Sequence, residues 1–92
     1  MTEQRSADDA RRDLVLRLKR VEGQIRGVQS MVEAGNDCEQ IAQQLSAARK
    51  ALDKAFYELM ACAIQHPQFS TNQRERQEAR IERLARVLAK LG

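Results

Sequence analysis

Two cysteines and one histidine are the side chains of this chain that could take part in soft-metal or thiol chemistry. Cys62 and His66 stand four positions apart, so on a helix their thiolate and imidazole share one face, as a chelate requires. Cys38 follows Asp37, a residue type that caps helices. It therefore falls at a predicted first helical position, where the positive end of the helix dipole favours a thiolate. Each of the three also has a structural alternative: Cys38 as an ordinary small residue near a helix start, Cys62 as a core cysteine that continues an apolar seam, and His66 as a residue at a helix end.

The cysteine chemistry depends on the compartment in which the chain resides. The N-terminus, MTEQRSADDARR, has no apolar signal-peptide core, and no apolar run approaches the ~20 residues needed to span a bilayer. We therefore expect a cytoplasmic protein with no membrane partner. In a reducing cytosol, two cysteines are expected to serve as thiols, ligands or a redox pair rather than as a structural disulfide.

Cationic side chains form the second set with functional potential. Residues 10–27 contain six cations and two anions, a local charge of +4. Arg17, Arg20 and Gln24 share one helical stripe, because they are spaced by three and four. Such a surface suits the phosphate backbone of double-stranded DNA, although a solvated helix face has the same composition. The candidate DNA-binding residues on the two predicted long helices are Arg17, Lys19, Arg20, Gln24, Arg26, Arg49, Lys50 and Lys54.

Two glycines interrupt the same cationic segment. Gly23 and Gly27 each cost about 0.8–1 kcal/mol against Ala inside a helix. Their spacing of four indicates a close approach by another helix or by a DNA strand, with a tolerated weak spot as the alternative.

These side chains must be positioned by helices. Ser6 is a predicted N-cap, the first helix is predicted over 7–34, and Gly35 is predicted to end it. Asp37 and Gln40 predict a capping box for a second helix over 38–66, which Pro67 closes. The two helices carry an unbroken heptad seam, which runs through Leu14, Leu18, Val21, Ile25, Val28, Val32, Ile41, Leu45, Ala48, Leu52, Ala55, Leu59 and Cys62.

A shorter third helix completes the predicted fold. It is predicted over 71–90, capped by Ser70 or Thr71. The sequence therefore predicts one all-α domain over 1–92 with a flexible arm at 1–6, in which the two long helices form an antiparallel hairpin. Because the core is thin and aliphatic, we expect two hairpins to pair into a dimeric four-helix bundle.

The string RLKRVEGQIRGVQSMVEAGNDCEQIAQQLSAARKAL resembles the CsoR/RcnR family of metal-, formaldehyde- and persulfide-responsive transcriptional repressors, also described as DUF156-type. The likeness runs without a gap from about Leu14 to Leu52. It implies a three-helix protomer, a dimeric bundle that assembles as a tetramer (a dimer of dimers), and operator DNA binding that an inducer weakens. It also implies a DNA contact at Arg17, a basic contact position at Lys54 and a polar core position at Gln44.

The resemblance weakens at the sensor site. Metal-sensing members pair the cysteine at position 38 with a His-x-x-x-Cys or His-x-x-x-His motif of the partner protomer, which here falls on Ala63 and Pro67. Persulfide sensors place their second cysteine at the position of Pro67. Cys62 lies one residue before Ala63, and His66 lies one residue before Pro67. The pair is therefore rotated by about 100° around the helix relative to the family's motif.

Three sensing chemistries remain open. In the first, Cys38 reacts with a persulfide or another electrophile and Cys62 of a neighbouring chain resolves it. In the second, Cys38 binds a soft metal, Cu(I) or Zn(II), with Cys62 and His66 of the partner. In the third, Cys38 acts alone. The missing motif histidine favours thiol chemistry, and no cofactor is required, although Cu(I) is a possible ligand.

Two other classes of protein share features with this sequence. Small helical enzymes also use Arg and Lys inside a bundle, but these cations lie off the apolar seam, so we expect no enzymatic activity. A plain helical interaction module without DNA binding is the remaining alternative.

Overall fold

A computed structural model describes residues 6–66 and 75–92 of the chain. The described residues form three α-helices and no strand: α1 (Ala7–Glu33), α2 (Cys38–Gln65) and α3 (Gln77–Leu91). The all-α prediction is confirmed. The predicted arm at 1–6 lies almost entirely outside the described residues, as do Pro67, Ser70 and Thr71. None of the described helices combines the length and apolarity that crossing a membrane requires.

Local capping explains both ends of α1. The Ser6 hydroxyl accepts a hydrogen bond from the Asp9 N–H at 3.1 Å, as predicted. At the other end Gly35 adopts a left-handed φ of 72°. The N–H groups of Gly35 and Asn36 donate to the carbonyls of Val32 and Met31, which is the Schellman pattern that needs glycine at this position. The chain therefore reverses direction within a few residues, and α2 can return along α1.

The first turn of α2 contains Cys38. The Asp37 carboxylate accepts from the Glu39 N–H at 3.1 Å, which confirms Asp37 as the cap. The helix ends at Gln65, one residue earlier than predicted, and His66 is extended at φ −125° and ψ 109°. This conformation has a steric cause, because a residue before proline is disfavoured in the α region.

The third helix begins at Gln77 and not at 71, since Glu75 and Arg76 are not helical. Arg76 occupies the N-cap without a side-chain hydrogen bond. Instead, the Glu75 carboxylate accepts from Arg83, which lies inside α3, at 2.9 Å. This contact joins the residue before the N-cap to the second turn of α3.

The three helices pack as a hairpin with a shorter helix against one end. α1 and α2 lie side by side in antiparallel directions, and α3 packs against the C-terminal part of α2 through a cluster of Met60, Ala63 and Leu84. Arg80, which is 5% exposed, joins these two helices by donating from Nη2 to the Ile64 carbonyl at 3.0 Å. The end of α2 is thereby held by both apolar and polar contacts.

The predicted heptad seam divides into a buried half and an exposed half. The buried positions are Val21, Val28, Ala48, Ala55 and Cys62. The exposed positions, between 41% and 58% accessible, are Leu18, Ile25, Val32, Leu45, Leu52 and Leu59. Within one protomer, therefore, only alternate members of the seam are covered.

Candidate DNA-binding face and sensor cysteines

One ion pair crosses the hairpin at the start of the cationic stripe. Arg17 of α1 donates from Nε to Oε2 of Glu58 on α2 at 2.6 Å. The Arg17 side chain is 39% exposed and the Glu58 side chain 17%, so the cation lies outside and the carboxylate inside. The two residues are 41 positions apart and no local pattern links them, so sequence analysis missed Glu58. An antiparallel hairpin places them level, which is the only signal that could have suggested the pair.

This ion pair sets the register of the cationic residues across the hairpin. Arg20 and Gln24 continue the stripe from Arg17 along α1, while Lys54 and Lys50 precede Glu58 by one and two helical turns on the antiparallel helix. All four of these side chains are exposed. The geometry therefore brings two predicted groups of cations to one side of the hairpin, a side that we call the basic face (Arg17, Arg20, Gln24, Lys50, Lys54).

A shallow cleft opens on the basic face. Asp13, Leu16, Arg17, Arg20 and Glu58 line it, with a volume of about 180 Å³. It is too small for a cofactor-sized ligand, which needs roughly 300 Å³ or more. The arrangement suits contacts with a surface such as a phosphate backbone better than it suits an enclosed substrate.

Three predicted DNA-binding residues do not join the basic face. Lys19 and Arg26 are exposed, but they point away from the stripe of Arg17, Arg20 and Gln24. Lys19 follows Arg17 by two positions and Arg26 follows Gln24 by two positions, and two positions correspond to about 200° around α1. Arg49 lines an open apolar groove of about 660 Å³ together with Ile25, Leu45 and other residues of the exposed seam. Arg49 thus borders the unpartnered apolar surface instead of the cationic one.

The two helix-interior glycines have open space around them. A methyl group added at Gly23 or Gly27 would meet no heavy atom of the described residues within 4 Å. No close approach inside the described protomer therefore requires either glycine.

The two cysteines occupy opposite ends of α2 and contrasting environments. Cys38 is exposed, whereas Cys62 is 2% exposed, and neither forms a disulfide. With a rise of 1.5 Å per residue, the helix separates their backbones by roughly 36 Å. A disulfide requires Cα atoms within about 7 Å, so these two cysteines cannot join within one protomer.

The third candidate ligand, His66, stands at the C-cap of α2. Its backbone N–H donates to the Cys62 carbonyl at 2.7 Å, and its side chain is half-buried. Across residues 6–66 and 75–92, no group of three or more His, Cys, Asp or Glu side chains is close enough to hold a metal ion. One described protomer therefore does not assemble the predicted set of Cys38, Cys62 and His66 by itself.

Comparison with known proteins gives a consistent assignment. Residues 10–90 match a family described as "Metal-sensitive transcriptional repressor". Over 50 residues the chain is 42% identical to the "Copper-sensing transcriptional repressor CsoR" of Bacillus subtilis (strain 168), a match that covers 54% of this chain and 50% of that protein. The aligned region thus spans about half the length of that relative, and no solved structure gave a significant match. On the strength of the family match, this chain belongs to the metal-sensitive transcriptional repressor family, whose members are transcription regulators and not enzymes.

Proposed function

We propose that this chain is an operator-binding transcriptional repressor that leaves its DNA when an inducer acts at Cys38. The observation that carries the DNA-binding part is the basic face, on which Arg17 and Arg20 of α1 lie alongside Lys54 of α2. Cations on two adjacent helices, about 8–10 Å apart, can contact separate phosphates of a duplex. The described helices form no helix-turn-helix, so recognition rests on this flat face of the hairpin.

The proposed repressor is a homo-oligomer. The exposed half of the seam presents large aliphatic side chains, including Leu45 and Leu52, along an open groove. A second copy offers the same seam, so pairing two hairpins buries both in a four-helix bundle. A dimer of two such bundles, as the family resemblance implies, would present more than one basic face to the operator.

Cys38 is the proposed point of induction because its thiol is exposed at the start of α2. A soft, thiophilic inducer can reach it without opening the fold. Cu(I) is one such species, because thiolates select it over harder ions. The name of the Bacillus subtilis relative, a copper-sensing repressor, supports a metal, and the remaining ligands would come from another protomer. Of the candidates, the half-buried His66 fits this role better than the buried Cys62.

Thiol modification is the second candidate for induction. Ala63, which occupies the position of the family's motif histidine, is 6% exposed in the cluster with Met60 and Leu84. That position therefore serves packing here and offers no ligand. A sulfane-sulfur donor or another electrophile needs only the exposed Cys38, and the burial of Cys62 argues against a rapid resolving step.

Operator binding is tested by fluorescence anisotropy with the DNA upstream of the chain's own gene and with random DNA of equal length. We expect tighter binding to the operator, with an affinity that falls steeply as salt rises. Arg17→Ala should weaken binding, whereas Lys19→Ala, a cation two residues away on the other side of α1, should change it little. Operator affinity below that for random DNA, or no binding to either DNA, would support the interaction module instead.

The inducer is identified by intact mass spectrometry of the reduced protein after exposure to Cu(I) and, separately, to a persulfide donor, with anisotropy measured in parallel. A stoichiometric copper adduct that releases DNA and disappears in Cys38→Ser would identify a metal sensor. A covalent sulfur adduct on Cys38 that releases DNA would identify a thiol sensor. If Cys38→Ser still responds to both agents, induction at Cys38 is wrong.

A further inference from the structure

The ion pair between Arg17 and Glu58 is not explained by DNA binding alone, because a carboxylate would be expected to repel the phosphates that Arg17 contacts. Glu58 is mostly buried, with 17% of its side chain exposed, and Arg17 is more than twice as accessible. The carboxylate is therefore less accessible than the guanidinium, although both side chains line the cleft on the basic face.

The atoms involved decide what this contact can do. Glu58 accepts from Nε of Arg17, the nitrogen nearest the helix, at 2.6 Å. The two terminal nitrogens make a separate edge of the planar guanidinium, and that edge can bind phosphate oxygens in a bidentate manner. Contact with a carboxylate through Nε and with a phosphate through the terminal nitrogens can therefore exist at the same time.

An arginine that binds DNA loses the freedom of a long side chain. Arg has high rotamer entropy, and ordering it on binding opposes affinity. A partner that already holds the guanidinium in the free protein removes much of this loss. Because Glu58 sits on the neighbouring helix, it also fixes Arg17 relative to Lys54, one turn away on α2.

We propose that Glu58 is a positioning residue that holds Arg17 in its DNA-binding orientation through Nε. The inference deepens the proposed function and rests on it. It predicts a result opposite to that of simple electrostatics, in which loss of an acidic residue from a cationic face tightens DNA binding.

The test compares Glu58→Ala with Asp53→Ala, which removes an exposed carboxylate from the same helix. We expect Glu58→Ala to bind operator about three- to ten-fold more weakly than Asp53→Ala. The slope of log affinity against log salt should also fall by about 0.9 in magnitude, the value for one lost phosphate contact. Glu58→Gln, which keeps an acceptor oxygen, should recover part of the affinity. Circular dichroism on each variant checks that the helices remain.

A double-mutant cycle separates this role from a structural one. In an Arg17→Ala background, Glu58→Ala should have no further effect on affinity, because its target is absent. Binding by Glu58→Ala that equals or exceeds that of Asp53→Ala, or an unchanged salt slope, overturns the positioning role and leaves the repressor function standing. Failure of the wild-type protein to bind operator overturns the proposed function and this inference together.

Discussion

Two Arg–Glu pairs among the described residues look alike in exposure and differ in geometry. Arg17 and Glu58 have side chains that are 39% and 17% exposed, and Arg83 and Glu75 are 40% and 16% exposed. Arg17 uses a single nitrogen, Nε, on one carboxylate oxygen. Arg83 bonds Glu75 through both Nε and Nη2, at 3.1 Å and 2.9 Å.

The difference fits a structural role for the Arg83 pair and the proposed DNA-binding role for the Arg17 pair. The hydrogen bonds from Arg83 hold the pKa of the Glu75 carboxyl below its usual value of 4.5, against the opposing effect of partial burial, and they raise the pKa of Arg83. That pair fastens the first turns of α3 to the segment before it. The Arg17 pair instead connects two long helices, through Nε of Arg17. Similar exposure therefore does not mean a similar role.

The strongest test replaces each arginine in turn. Arg17→Ala should weaken operator binding at least about ten-fold, because a charge-assisted contact contributes on the order of 1.5–3 kcal/mol. Arg83→Ala should leave the affinity within about two-fold, since Arg83 lies on α3 and is not part of the basic face. Anisotropy at several salt concentrations measures both. Equal losses of operator affinity in the two variants would show that both arginines contribute to DNA binding to the same extent.

Arg80, on the same helix as Arg83, is a second arginine with a structural contact. Arg80 donates to the Ile64 carbonyl, and its buried Nε has no hydrogen-bond partner within the described residues. Arg80→Ala should lower the free energy of unfolding by ~1–3 kcal/mol, because the carbonyl loses its donor and the aliphatic stem its packing. The exposed Arg86→Ala on the same helix is the control, and chemical denaturation followed by circular dichroism is the measurement. An unchanged operator affinity is expected for both.

The pKa of Glu75 gives a pH test of the Arg83 pair. Because the folded-state pKa is lowered, the stabilisation is present above about pH 4.5 and is lost as pH falls through the folded-state value. The melting temperature of the wild type should therefore exceed that of Glu75→Gln by more at pH 7 than at pH 3. In an Arg83→Ala background, Glu75→Gln should change the melting temperature less at pH 7, because the partner of the carboxylate is absent. High salt should shrink the difference at pH 7.

The smallest expected effect concerns Gly23, which lies on α1 between Arg20 and Gln24 of the basic face. Gly23→Ala meets no atom in the described protomer, so it should stabilise α1 by up to about 1 kcal/mol. If a DNA strand runs along this face, the added methyl group should also reduce operator affinity, which separates Gly23 from a tolerated weak spot. Thermal unfolding and anisotropy together give both values. A stabilised variant with full affinity would remove Gly23 from the interface.

The sequence predicted the elements of the hairpin well, because caps and turns are local. Ser6, Gly35 and Asp37 act where their chemistry requires, and the bounds of α1 and α2 differ from prediction by a single residue. The start of α3 was wrong for the same reason: Ser70 and Thr71 are good caps, but the observed start depends on the contact between Glu75 and Arg83. That contact spans eight positions, beyond any capping pattern.

The candidate site was only partly predictable. The stripe of Arg17, Arg20 and Gln24 follows from helical spacing, and its alignment with Lys54 follows from an antiparallel hairpin. A heptad seam, however, does not say which of its members face the chain's own hairpin. For this reason, the burial of Cys62 was only one of two alternatives, and the position of Arg49 beside the apolar groove was not predicted. The roles of both cysteines in sensing stay predictions.

The small size of the residues packed between α1 and α2 links the stability of the protein to its concentration. The seam positions of α2 that are buried in the protomer are small, Ala48, Ala55 and Cys62, while the seam leucines of α2 are exposed. If two hairpins pair as proposed, the exposed seam leucines add their burial on association and not on folding of one chain. By mass action, dilution lowers the stability of such a protein, and its melting temperature rises with concentration. The amount of repressor that a cell makes would then set both how much of it is folded and how much of the operator it occupies.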